Sequence, residues 1–223
     1  MLKIVVFDYG YGGEDFADRL EEQIPIVEII RVIDWRHLEE AESNSRLARK
    51  YAKTALRPYI GKVDLIIFAN HYLTITNLKY FQRKFKNQKF IGYKLVQPNN
   101  SSNRQLVILT TKPVTKTINY HNYIFRLKRK TQTMALDSWV PKINDGELEY
   151  SDVAAAFNNK NSISPSSKDT ELILASSHFS DAKPLLKKYF GHNIKIHDSF
   201  NNTYRSACKV LKLRGGTGQK YSG

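Results

Sequence analysis

Three stretches of this chain place ionisable or hydroxyl side chains directly after apolar runs. Lys3–Asp8 ends in Asp8 and leads into a loop containing Gly10, Gly12 and Gly13. Ile66-Ile-Phe-Ala-Asn-His71 ends in Asn70 and His71, and Leu172-Ile-Leu-Ala-Ser-Ser-His178 ends in Ser176, Ser177 and His178. Imidazole titrates near neutral pH, so His71 and His178 are candidate proton carriers; the alternative is two hydrogen-bonded wall residues. Asp8 closes a buried strand and could hold nearby backbone amides. Asn70 and Thr111 suit hydrogen bonding to a small carboxylate, and equally suit capping of the helices that follow them. The glycine loop opens a helix whose free N–H groups could hold a carboxylate or phosphate. It departs from G-x-G-x-x-G, and a tight turn alone would also account for it.

Other chemistries are excluded on spacing. Ser176, Ser177 and His178 are chain neighbours, which rarely reach nucleophile–base geometry, and there is no G-x-S-x-G elbow. His192 and His197 lie five apart across a predicted strand, so their side chains point to opposite faces and do not share a metal. The single cysteine, Cys208, excludes an internal disulfide and any cysteine-cluster metal site. It falls in a predicted last helix, Asn201–Leu213, beside Val210 and Leu211, and reads as a buried structural thiol. Neither a metal nor a cofactor is expected.

Strands and helices alternate around these stretches. A strand at Lys3–Asp8 precedes a helix marked by Phe16 and Leu20 that stops near Pro25. Ile26–Val32 reads as a strand, Leu38–Ile60 as one helix, Val63–Ala69 as a strand buried on both faces, Thr76–Lys86 as a helix and Phe90–Leu95 as a strand. The pattern restarts with a strand at Leu106–Leu109, a helix up to about Leu127, a strand at Glu171–Ala175 and a helix containing Leu185, Leu186 and Phe190. Matching strand-to-loop units recur at similar offsets, about 60 residues in the first half and about 65 in the second. The expected fold is therefore α/β: two related, pseudo-symmetric lobes of about 100 residues each, with parallel sheets and a cleft between them. The expected boundaries are 1–97 plus 200–213 for the first lobe, 98–199 for the second, and 214–223 for a glycine-rich flexible tail. The polar stretch 158–170 reads as a loop or lid. The strand-end loops at Asp8, Asn70, Thr110 and Ser176 are expected to converge on one cleft.

Charge is distributed unevenly. Of a formal net charge of +14 on 223 residues, thirteen cations fall between Leu65 and Leu136, a segment with no Asp or Glu. Interleaved aromatics, Tyr80, Phe85, Tyr123 and Phe125 among them, make this acid-free segment a candidate for polyanion or nucleic-acid binding. The opposing reading is solvated helix faces with the aromatics turned into the core. No nucleic-acid motif is present. No apolar run is long enough to span a membrane, and the opening residues lack a secretory core, so the chain reads as a cytoplasmic protein with no membrane partner.

At its strand ends the sequence resembles the glutamate racemase (aspartate/glutamate racemase) family over essentially its whole length. Phe7-Asp-Tyr-Gly-Tyr-Gly-Gly13 is similar to that family's F-D-S-G-x-G-G, Ile66–His71 to V-I-A-C-N-T, and Leu109-Thr-Thr111 to L-A-T. Val140–Gly146 is similar to V-P-L-V-E-E-G, Leu172–Phe179 to L-V-L-G-C-T-H-Y, and His197–Phe200 to I-D-S-G. The resemblance implies two flavodoxin-like lobes, usually a homodimer, and cofactor-free racemisation supplying D-glutamate for peptidoglycan and cell wall biogenesis. It implies catalytic positions at Asp8, Ala69, Ser176 and His178, and substrate-binding positions at Gly10, Asn70, His71, Thr111 and Ser177. That reaction needs two thiols facing each other across the α-carbon, and the matched positions hold Ala69 and Ser176. A methyl has no exchangeable proton, and a serine hydroxyl is far less acidic than a thiol of pKa about 8.5. The family's Ser becomes Tyr9, its Thr becomes His71, and its Glu falls on Asn144. Three functions follow as alternatives. One is a catalytically silent binding or regulatory protein taking a small carboxylate or a protein partner. The second is an isomerase using His71, His178 and Asp8. The third is a polyanion binder acting through 65–136.

Overall fold

The computed structural model describes residues 1–99, 102–158, 163 and 168–213. Two compact units divide the chain, one comprising the described residues of Met1–Lys94 and Phe200–Gly223, the other those of Leu95–Ser199. The tail 214–223 and most of the predicted loop 158–170 lie outside the described residues.

The first unit runs β1 (Leu2–Asp8), α1 (Gly12–Gln23), β2 (Val27–Ile33), α2 (Leu38–Ser43), α3 (Ser45–Leu56), β3 (Leu65–Phe68), α4 (His71–Lys84) and β4 (Phe90–Gly92). Its four strands form a parallel sheet in the order β2-β1-β3-β4. The period-2 alternation of β1 explains the layers. Ile4 and Val6 join one apolar cluster with Phe16 and Leu20 of α1 and with Phe200, Ala207 and Cys208 of the last helix among the described residues. Val5 and Phe7 join the opposite cluster with Ala48, Ala52 and Leu56 of α3 and Leu73, Leu78 and Phe81 of α4. Each Val, Ile, Leu or Phe among them, fully buried, contributes roughly 1.5–3 kcal/mol of hydrophobic stabilisation.

Three expectations need correction here. The single helix expected over Leu38–Ile60 is two, because Asn44 takes an extended backbone (φ −144°, ψ 114°) and its side chain accepts from the Arg46 and Leu47 N–H groups. An Asn that satisfies the first turn in this way starts a new helix and does not continue the old one. The helix expected from Thr76 begins at His71, where Asn70 caps it. The strand expected over Phe90–Leu95 ends at Gly92, where a Cβ would lie 2.5 Å from the Thr74 side chain.

The second unit runs β5 (Gln105–Thr110), α5 (Lys112–Thr115), α6 (Ile118–Leu127), β6 (Thr131–Ala135), α7 (Trp139–Asn144), α8 (Tyr150–Asn158), β7 (Thr170–Leu174), α9 (Lys183–Phe190) and β8 (Lys195–Asp198); α10 (Phe200–Leu211) returns to the first. Its parallel sheet has the order β6-β5-β7-β8, the first sheet's order repeated. One face packs Val107, Leu109, Leu172 and Leu174 against Trp139, Phe157, Leu186 and Phe190. The edge strand β6 escapes a sequence reading because only Met134 of its TQTMA is buried. The strand expected to separate His192 from His197 begins only at Lys195, so His192 precedes it and is exposed. Among the described residues no helix is long and apolar enough to cross a membrane.

Candidate functional site

In the first unit the predicted residues meet where β1 and β3 end side by side. Phe7 pairs with Phe68, and the Ala69 N–H donates to the Phe7 carbonyl at 2.9 Å, which brings Asp8 beside Ala69 and Asn70. Asp8 is fully buried, and its Oδ1 accepts from the Tyr9 N–H at 2.6 Å and from Asn70 Nδ2 at 2.9 Å. Asn70 Oδ1 in turn accepts from the Leu73 N–H at 2.8 Å, capping α4. Thr74, one turn on, donates its hydroxyl to the Asn70 carbonyl at 2.8 Å and accepts from the Tyr93 N–H at 3.2 Å. Both expectations for Asp8 and Asn70 are thus met on their structural side. Gly10 is buried, and its carbonyl accepts from the Gly13 N–H at 3.1 Å. A Cβ on Gly13 would lie 2.4 Å from the Asp8 Cβ, so only glycine lets α1 start this close to the strand end.

Tyr9, matched to the family's serine, turns into the core. Its ring meets Phe7 edge-on at 5.1 Å, its hydroxyl donates to the Ala48 carbonyl, and burial pushes its pKa up. Ala69 is fully buried, its methyl in the apolar cluster with Ile4, Val6 and Phe16. His71 is 3% exposed and meets the Tyr93 ring edge-on at 6.3 Å. Among the described residues neither ring nitrogen reaches a hydrogen-bond partner, although the Tyr93 backbone lies near. Burial pushes its pKa down to about 4, against a small opposing effect of that backbone.

In the second unit Thr111, Ser176, Ser177 and His178 lie beyond β5 and β7, which pair Leu109 with Leu174. Here the Ala175 N–H donates to the Leu109 carbonyl at 2.8 Å. By hydrogen bonding, then, Ala175 is the counterpart of Ala69 and Ser176 of Asn70. Ser177–Ser180 forms one tight 3-10 turn where the first unit enters a long helix. Ser176 precedes that turn without capping it, and Thr111 precedes α5 likewise; Asp137 accepts from the Lys112 N–H at 3.0 Å in its place. His178 is 1% exposed, both ring nitrogens lack a partner among the described residues, and burial pushes its pKa down to about 4. Asn144 Oδ1, at the position of the family's Glu, is likewise buried without a partner among the described residues.

No protein-family model matches the chain. A glutamate racemase of Koribacter versatilis (strain Ellin345) is 22% identical over 220 residues, covering 94% of this chain and 75% of that protein. The chain is homologous to glutamate racemases. Solved structures agree on the fold. Escherichia coli glutamate racemase, crystallised with L-glutamate and the activator UDP-MurNAc-Ala, superposes with a TM-score of 0.81 at 17% identity over 95% of this chain and 82% of that one. The Campylobacter jejuni glutamate racemase superposes at 0.78, with 20% identity over 97% and 89%. Both lobes of the racemase fold are thus present, each with its group of strand-end polar residues.

Sequence reasoning missed three features within this racemase fold. Asp137 substitutes for Thr111 as a cap. Lys183 pairs with Asp198, to which the Ser180 hydroxyl also donates at 3.4 Å. At the opposite end of the second sheet Glu171, 1% exposed, accepts from Ser102 Oγ at 2.9 Å, sits 2.9 Å from His197 Nε2 and 3.3 Å from Arg129 Nη1, with Lys195 at 3.7 Å. Burial alone would raise the Glu171 pKa. The His197 and Ser102 hydrogen bonds and the Lys195 and Arg129 charges outweigh that and hold it at about 2. The one available signal was a Glu inside an otherwise apolar strand. Among the described residues no cluster of His, Cys, Asp or Glu could hold a metal ion.

Proposed function

We propose that this glutamate racemase homologue binds a small carboxylate without inverting it through paired thiols. The observation that carries this reading is the place of sulfur. Cys208 is the only cysteine of the chain, and it is buried in α10, in the same apolar cluster as Ile4, Leu20 and Ala69. Inversion requires one group to take the α-proton while a second, already protonated, delivers another to the opposite face. At the matched positions Ala69 offers a methyl in an apolar cluster and Ser176 a hydroxyl. What remains to hydrogen-bond a ligand is the Thr111 and Ser176 hydroxyls of the second lobe, neither of which caps a helix. The L-glutamate held by the Escherichia coli relative supports an amino-acid carboxylate as the ligand class.

A second reading has a specific observation behind it. The unpartnered nitrogens of His71 and His178 could carry protons in place of thiols, with Asp8 assisting. Their low pKa values weigh against it. At pH 7 a group of pKa about 4 is protonated in about one molecule in a thousand, so the acid half of the reaction lacks its proton. Asp8 is already engaged with the Tyr9 and Asn70 amides.

Proton NMR of L- and D-glutamate and L- and D-aspartate in D₂O separates the readings. The expected result is retention of every α-proton signal, with saturation transfer from protein to at least one of the acids. Exchange at enzymatic rates that His178→Ala abolishes would overturn the first reading in favour of the second.

A further inference from the structure

A second concentration of unpaired positive charge lies outside the acid-free segment recognised in the sequence. That segment is divided between the two units, and its aromatics Phe81, Phe90, Tyr93, Tyr120 and Tyr123 are buried. Between Glu42 and Asp64, however, there are six further cations and no carboxylate. Five of them, Arg46, Arg49, Lys50, Lys53 and Arg57, line one open groove of about 750 Å³ against Tyr80 and Phe85. Their spacing of three, four, seven and eleven residues puts them along one side of α3, a row of about 16 Å at the helical rise.

None of the five is paired with a carboxylate among the described residues. Arg31 in the same lobe shows the contrast, since it reaches Glu14, Asp18 and Glu21 at 3.3, 2.6 and 2.7 Å. Like charges one helical turn apart, as in Arg46–Lys50, Arg49–Lys53 and Lys53–Arg57, destabilise a bare helix, and a bound polyanion removes that cost. Arg49 is held in place: its Nε donates to Asn77 Oδ1 at 2.8 Å and its guanidinium lies 4.3 Å over the Tyr80 ring. Its two terminal amino groups have no partner among the described residues. Tyr80 and Phe85 are half-buried, so each offers part of a ring to the groove.

We propose that the groove between α3 and α4 binds single-stranded nucleic acid, with phosphates along the α3 cations and bases against Tyr80 and Phe85. A row of cations accounts for any polyanion; the aromatic floor selects one whose base faces are free, which a duplex buries within its own stack. No strand-end residue takes part, so this inference is independent of the carboxylate reading.

The test is fluorescence anisotropy of short labelled oligo-dT and oligo-rU titrated with the full chain at about 50 and about 200 mM salt. Binding of either sugar that weakens with salt is expected. Lys53→Gln with Arg57→Gln, both exposed positions, should weaken it several-fold and reduce the log–log salt slope by about 1.4, at about 0.7 per single-strand phosphate released. Tyr80→Leu should weaken it about tenfold with the slope unchanged. Should that variant lose its circular dichroism signature, preference for oligo-dT over its duplex carries the stacking test. The proposal fails if neither oligonucleotide binds, or if Lys187→Gln with Lys188→Gln on α9 costs as much. It also fails if duplex, heparin or anionic vesicles bind as tightly as the single strand.

Discussion

The two lobes share one strand order but fasten opposite ends of their central strands. In the first, the carboxyl end is tied by the buried chain Asp8–Asn70–Thr74–Tyr93, which joins β1, β3, α4 and the residue after β4. Its amino end carries exposed contacts, such as Lys3 with Glu28 at 3.0 Å. In the second, the amino end is tied by Glu171 with Ser102, Arg129 and His197, while Thr111 and Ser176 at the carboxyl end cap nothing. Equal topology therefore does not mean an equal distribution of internal polar bonds. A polar side chain engaged by its own fold has less to offer a ligand, so the second lobe keeps the larger share of available hydroxyls.

The contrast can be tested by variants, beginning with the most costly. Glu171→Gln removes the anion from a buried cluster of cations and should cost about 3–5 kcal/mol in chemical denaturation. Because the folded pKa of Glu171, about 2, lies below its ordinary value of 4.5, its stabilising effect is complete above that ordinary value and fades as pH falls toward 2. Acid unfolding of Glu171→Gln should be correspondingly less steep over that range. Gly13→Ala forces a methyl against Asp8 and Ile33 and should cost about 1–3 kcal/mol, read as a lower denaturant midpoint. Asn70→Ala loses a helix cap and one of the bonds to Asp8, for about 1–2 kcal/mol, whereas Ser176→Ala, with no cap to lose, should stay within about 0.5 kcal/mol of the parent. Equal costs at these two positions would dissolve the contrast. The last prediction concerns pH dependence. His71 and His178 are neutral when folded, so stability should decline as pH falls from 6.5 toward 4, where the unfolded chain binds protons that the folded one excludes. His178→Leu should flatten part of that decline in thermal melts recorded across the interval.

Much of this architecture could be read from residue patterns because apolar periodicity and strand-end motifs are local signals. The buried runs of β1, β3, β5 and β7, the helix carrying Phe16 and Leu20, and the helix carrying Leu185, Leu186 and Phe190 were visible in that way. Where burial was partial the reading failed, as at β6, whose single buried side chain leaves no alternation to detect. Asn44 broke a helix that propensity would continue, since capping geometry outweighs a few favourable residues. At the strand ends the residue types were legible, but the choice between ligand contact and internal bonding was not. Asn70 and Thr111 looked alike in the sequence; one caps its helix, while Asp137, from a distant stretch, displaces the other. Long-range partners of this kind leave no trace in spacing.

The chain leaves the first unit after Lys94 and comes back at Phe200, where α10 covers the face of the sheet bearing Ile4 and Val6. During translation the amino-terminal half must therefore wait, with one apolar face uncovered, until the final helix emerges from the ribosome, by which time the whole intervening lobe is available to fold. A premature stop anywhere before Phe200 would release a product that is not merely shorter but adhesive, and quality control would meet it as an aggregation hazard.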